Sequence, residues 1–112
     1  MSMFLGLASC QHQAGWPKKV KFPRSGGVKE ISGYAEIYET FSIANWDGDE
    51  HHSVRIENTD TLIATYDWLT VKVRNHDNKM TLIADPEKRN KRHLYIGFMD
   101  GNNVVDIAVS ME

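Results

Sequence analysis

Asp67-Trp68-Leu69-Thr70-Val71 is the stretch from which the fold of this chain is read. An indole is followed by residues suited to a pleated surface, and Leu69, Val71 and Val73 alternate with Thr70, Lys72 and Arg74. The same period of two returns at the end of the chain. There Leu94, Ile96 and Phe98 alternate with Tyr95, Gly97 and Met99. Beyond the turn residues Asp100-Gly101-Asn102-Asn103, Val105, Ile107, Val109 and Met111 are set against Val104, Asp106, Ala108 and Ser110.

Working outward, Lys19 to Phe22 is a short extended run ended by Pro23, and Ser25-Gly26-Gly27 supplies the turn before Val28 to Ser32. The segment from Tyr34 to Asn45 is mixed, since Glu36, Glu39 and Thr40 tolerate a helical turn. Its β-branched and aromatic residues favour a strand ending at Asn45. Ser53 to Glu57 and Asp60 to Ala64 flank Asn58-Thr59. After the polar turn Asn75-His76-Asp77-Asn78, Met80, Leu82 and Ala84 share one face. A parallel α/β sheet needs crossover helices, and no helical periodicity of that kind is visible. The expected fold is an all-β sandwich, with Trp68 in a central strand and packed between the sheets.

The 112 residues are enough for one domain with its own core, and 41% hydrophobic against 25% charged residues is an ordinary globular balance. A formal net charge of -2 gives no general nucleic-acid footprint. The most basic segment, Glu87-Lys88-Arg89-Asn90-Lys91-Arg92, reads as a solvated loop between strands. No run approaches the roughly 20 apolar residues of a membrane-spanning helix. The single cysteine excludes an intrachain disulfide.

That cysteine follows Leu7-Ala8-Ser9, with Met3, Phe4 and Leu5 before it. Leu-Ala-Ser-Cys resembles a bacterial lipobox, in which small residues admit the peptidase and the thiol of Cys10 accepts lipid. The signal lacks a basic start and its apolar run is short, so it reads as truncated. The other reading is a frayed N-terminus with a free thiol. The expected division is a truncated lipoprotein signal over 1–10, a tether over 11–18 and a β-sandwich domain over 19–112. The membrane is then reached through a lipid anchor only, and the domain stands at the cell surface or outer membrane, or in the periplasm.

Ser25-Gly26-Gly27-Val28, Trp68-Leu69-Thr70-Val71, the Met80-to-Ala84 strand leading to Asn90 and Arg92, and two closing strands around Gly101 together resemble the BACON domain of Bacteroidetes surface proteins. The resemblance covers Lys19 to Val109. It departs at Val109-Ser110-Met111, where Val-x-Gln is usual, and at the long acidic segment from Asn45 to Thr61. The resemblance implies an immunoglobulin-like antiparallel β-sandwich of about seven strands. It also implies a non-catalytic module that binds glycan or mucin, or one that serves as a structural adaptor for a surface protein partner.

Carbohydrate binding needs flat aromatic faces and planar polar groups on a rigid exposed surface. Trp16, Tyr34, Tyr38, Trp46 and Tyr66 are the aromatic candidates. Trp46 stands out because Asn45, Asp47 and Asp49 surround it in a turn, with Tyr38 as a second ring. The alternative for Trp46 is a lid on the end of the core. Asn45, Asp47 and Asp49 also have the spacing of the first half of a calcium loop. The glycine offset is wrong, however, and Ile56 stands where the closing glutamate belongs. Adjacent His51 and His52 point to opposite sides of an extended chain and do not readily share a zinc. No nucleophile elbow or comparable signature frames the serines, histidines and acids. No cofactor, no metal and no enzymatic activity are expected.

Overall fold

The computed structural model describes residues 14–37, 40–45, 50–56, 59–88, 93–100 and 103–112. Ten strands run along them: β1 (Lys19–Phe22), β2 (Gly27–Ile37), β3 (Ser42–Asn45), β4 (Glu50–His52), β5 (Val54–Arg55), β6 (Thr61–Tyr66), β7 (Leu69–Arg74), β8 (Asp77–Ala84), β9 (His93–Asp100) and β10 (Asn103–Met111). One sheet has the order β1-β10-β9-β3-β4 and the other β2-β8-β7-β6-β5. They pack as a β-sandwich. The neighbours β2-β8-β7 and β3-β9-β10 repeat the B-E-D and C-F-G orders of immunoglobulin domains.

The alternation read from the sequence is the alternation of the core. Val20 and Phe22, Ile43, Leu62 and Ala64, Val71 and Val73, Met80 and Leu82, Leu94 and Ile96, and Val105, Ile107 and Val109 all lie buried between the sheets. Their intervening neighbours face out, because successive side chains of a strand point to opposite faces.

Several expectations are corrected. The strands exceed seven in part because β4 forms at Glu50–His52, before the expected Ser53 to Glu57 strand, of which β5 (Val54–Arg55) forms among the described residues; Ser53 between them is a corner between the sheets. β4 pairs with β3 in one sheet and β5 with β6 in the other. Ser53 holds the corner: its N–H donates to the Phe41 carbonyl at 2.9 Å, and its Oγ accepts from the Phe41 N–H at 3.1 Å. The run from Tyr34 to Asn45 is likewise not one strand, since β2 continues through Ile37 in one sheet and β3 begins at Ser42 in the other. The sandwich is not wholly antiparallel, because β1 lies parallel to β10 with Lys19 opposite Ala108 and Phe22 opposite Met111. That pairing covers the closing strand, so β1 and not β10 is the sheet's edge on this side, with β4 at the other.

Trp68 is 1% exposed, as expected of a core residue, but it sits in the two-residue turn joining β6 to β7 and not within a strand. Asp67 before it takes a left-handed φ of 54°, and the indole closes edge to face on Phe22 of β1, 6.2 Å between centroids. The turn is thus tied into the core from the side of the opposite sheet.

The open seam between edge strands β1 and β2 is closed by two devices. Lys29 lies with its ammonium 5.4 Å from the Phe22 centroid and donates to the Lys21 carbonyl at 2.6 Å, placing a charge at an edge that would otherwise invite another strand. Trp16 then fills the seam, 5.4 Å from Phe98 in a T-shaped contact. Gly33 makes room for it, since a Cβ there would lie 2.3 Å from Trp16 Cδ1. The Tyr34 N–H donates to the Ala14 carbonyl at 2.7 Å. The core therefore reaches back into the segment 11–18 read as a tether.

Candidate functional site

Of the residues singled out in the sequence, Trp46, Asp47, Asp49, Tyr38 and Cys10 lie outside the described residues. Asn45 is described, and it faces inward. It is 5% exposed, and its Nδ2 donates to the Tyr66 hydroxyl at 2.8 Å. Tyr66 in turn stacks on His51, 6.2 Å between centroids and 19° between planes. Asn45, Tyr66 and His51 link β3 and β4 of one sheet to β6 of the other. Their chemistry here is positioning: they tie the end of β3 and the middle of β4 to the end of β6. Trp16, another aromatic candidate, is core and presents no open ring. Tyr34 is open, with 83% of its surface exposed on edge strand β2.

A second region assembles only through the sheet register. On the outward face of the first sheet, Glu50 of β4, Ala44 of β3, Tyr95 of β9, Ala108 of β10 and Lys19 of β1 stand in one row. The next row is Ser42, Gly97 and Asp106, and beyond it Met99 faces Val104. On the other side, His93, Ser110 and Lys21 form a row. Tyr95 is therefore bordered by alanine on both neighbouring strands and by glycine two residues along its own. Small side chains around one aromatic leave hollows in an otherwise filled surface.

Two hollows result. One, of about 350 Å³, is lined by Thr40, Ser42, Gly97, Met99, Val104 and Asp106, with Phe41 and Phe98 beneath. Its floor is the Gly97 backbone, and a Cβ placed there would meet Asp106 Oδ1 at 3.3 Å and Ser42 Oγ at 3.7 Å. A hydroxyl and a carboxylate thus flank a bare peptide plane, with Met99 and Val104 as the apolar wall. The other, of about 400 Å³, is lined by Lys19, Val20, Lys21, His93, Tyr95, Ala108 and Ser110. From His93 to Met99 the face runs roughly 20 Å along β9 at the usual strand rise.

Sequence reasoning had the outward facing of Tyr95, Gly97 and Asp106 in hand and missed the site, because the rows depend on which strands are neighbours. The signal available was the run of small outward residues, Ala44, Gly97 and Ala108, at mid-strand positions where larger β-formers are usual. Among the described residues no three of His, Cys, Asp and Glu come together as a metal-holding group, and no helix is long and apolar enough to cross a membrane. Comparison with family models, with curated proteins and with solved structures returns no match.

Proposed function

We propose that the chain is a non-catalytic cell-surface module that binds carbohydrate on the outward face of the β1-β10-β9-β3-β4 sheet. The observation that carries this reading is Tyr95 standing among Ala44, Gly97 and Ala108 between two hollows. An aromatic ring with low ground around it offers a platform to sugar C–H faces. The Ser42 hydroxyl, the Asp106 carboxylate and the Ser110 hydroxyl lie beside it to take hydrogen bonds from sugar hydroxyls. The platform is rigid, since every strand beneath it is paired and its inward residues are core. The likeness to the BACON domain seen in the sequence points the same way, as does the lipobox Leu7-Ala8-Ser9-Cys10. A lipid on Cys10 would stand four residues before Ala14, whose carbonyl is held by Tyr34, so the module would ride within about 15 Å of the membrane surface.

The test is a glycan array probed with the wild-type chain and with Tyr95→Ala. Binding to a defined glycan class that disappears in the variant, with the melting temperature kept, supports the reading. An array without signal removes it.

A second reading, an adaptor for a surface protein, has its own observation: edge strand β2 exposes Tyr34 and Val28, at 83% and 66%. A partner surface would pack on these two exposed side chains, since the backbone of this edge is already held at Tyr34 by Ala14 and guarded by Lys29. Crosslinking at position 28 that captures one defined surface protein, lost on Tyr34→Ala, would favour it. A strictly monomeric chain with no captured partner would set it aside.

A further inference from the structure

We infer that the glycan is acidic, and that Lys19 and Lys21 hold its anionic group beside Tyr95. This rests on the carbohydrate reading above and names the substrate class of the same face.

The two hollows differ in charge. The one floored by Gly97 carries a carboxylate, Asp106. The one beside β1 carries two lysines, a histidine, a tyrosine and a serine, with no carboxylate in its lining. Parallel pairing of β1 with β10 makes this polarity. It puts Lys19 opposite Ala108 and Lys21 opposite Ser110, so both ammonium groups border the low ground left by small residues. Lys21 and His93 stand across Ser110, two strand spacings or about 10 Å apart. Lys29 brings a third ammonium to the adjoining seam, where it donates to the Lys21 carbonyl.

In a chain of net charge -2, such a concentration of cations on the β1 side of Tyr95, with Glu50 at the opposite end of its row, selects an anion on that side. A free phosphate would use the lysines and leave Tyr95 idle. A carboxylate or sulfate on a pyranose ring would use both, the ring lying on Tyr95 and the anion taking charge-assisted hydrogen bonds from Lys19 and Lys21. The acidic unit then binds at the β1 side. The next unit crosses Tyr95 toward Gly97, where Ser42 and Asp106 accept hydroxyl donors and Asp106 disfavours a second anion. The face reads polarity along a short oligosaccharide.

The experiment uses the full chain on an array of matched pairs: sialylated glycans beside the desialylated cores, sulfated beside unsulfated, and oligouronates beside their methyl esters. A single-stranded oligonucleotide and inorganic phosphate are included. Wild type and the double variant Lys19→Gln, Lys21→Gln are compared. Both positions are exposed, so melting of the variant serves as the folding control. The inference expects the acidic member of a pair to bind at least about tenfold tighter than its neutral partner. It also expects the double variant to lose that preference while keeping its melting temperature. Equal binding of both members, lost in Tyr95→Ala, overturns the acidic assignment and leaves the carbohydrate reading standing. Oligonucleotide or phosphate bound as tightly as any glycan overturns it in favour of a general anion site. An empty array overturns both readings.

Discussion

The side-chain amide of Asn45 donates to the hydroxyl of Tyr66 at 2.8 Å, joining the end of β3 in one sheet to the end of β6 in the other. A buried amide in a sandwich core must be partnered, and here the partner is a phenol whose ring also stacks on His51. Tyr66→Phe keeps the ring and removes the acceptor, leaving the amide N–H without it. The expected loss is about 1–3 kcal/mol, seen as a lower midpoint in urea unfolding with an unchanged slope. Unaltered stability would mean that the contact is dispensable.

Trp68 is the largest fully buried side chain among the described residues, held by a turn and closed on Phe22. Trp68→Ala is expected to cost about 3 to 5 kcal/mol. A loss below about 1 kcal/mol in equilibrium denaturation would show that the indole does not pack between the sheets.

Gly33 and Trp16 share one space, with 2.3 Å between an added Cβ and Trp16 Cδ1. Gly33→Ala therefore drives the indole out of the seam. The expected outcome is a loss of about 1–3 kcal/mol together with a red-shifted tryptophan emission. Double substitution with Trp16→Ala is expected to be clearly less than additive, since both act on one contact.

Gly97 separates stability from binding. In a strand, glycine costs backbone entropy, and a Cβ at this position meets the end of the Asp106 side chain at 3.3 Å, with the Ser42 hydroxyl at 3.7 Å and the Val105 carbonyl at 3.9 Å in ordinary contact. Gly97→Ala is expected to leave stability unchanged or raise it by up to about 1 kcal/mol while weakening glycan binding. Parallel thermal melts and affinity measurements check the opposite signs; loss of fold in place of loss of binding would contradict them.

Much of the fold was legible because a period of two states which side chains share a face. Val105, Ile107 and Val109 are buried and Asp106 is exposed, as their alternation requires. What alternation does not state is which strand is the neighbour. The corner at Ser53 has no signal of its own in the sequence, because both of its arms are extended and only the partners differ. The parallel pairing of β1 with β10 joins residues at opposite ends of the chain, where no local turn announces the contact. Trp16 stands before Pro17 with no apolar periodicity around it, so its burial depends on the space above Gly33. Asn45 reads as a surface ligand by residue type, yet it follows Ile43 on the inward face of β3. The site was hidden for the same reason: Ala44, Tyr95, Ala108 and Lys19 are distant in sequence and meet only in register.

The carbohydrate face is tested most directly by recording amide shifts of the labelled wild-type chain during titration with the glycan that gives the strongest array signal. The expected result is a set of saturable perturbations confined to Ser42, Tyr95, Gly97, Asp106, Ala108 and their neighbours on the same face. Perturbations confined to residues 46–49 or to β2, or none at saturating glycan, would contradict it.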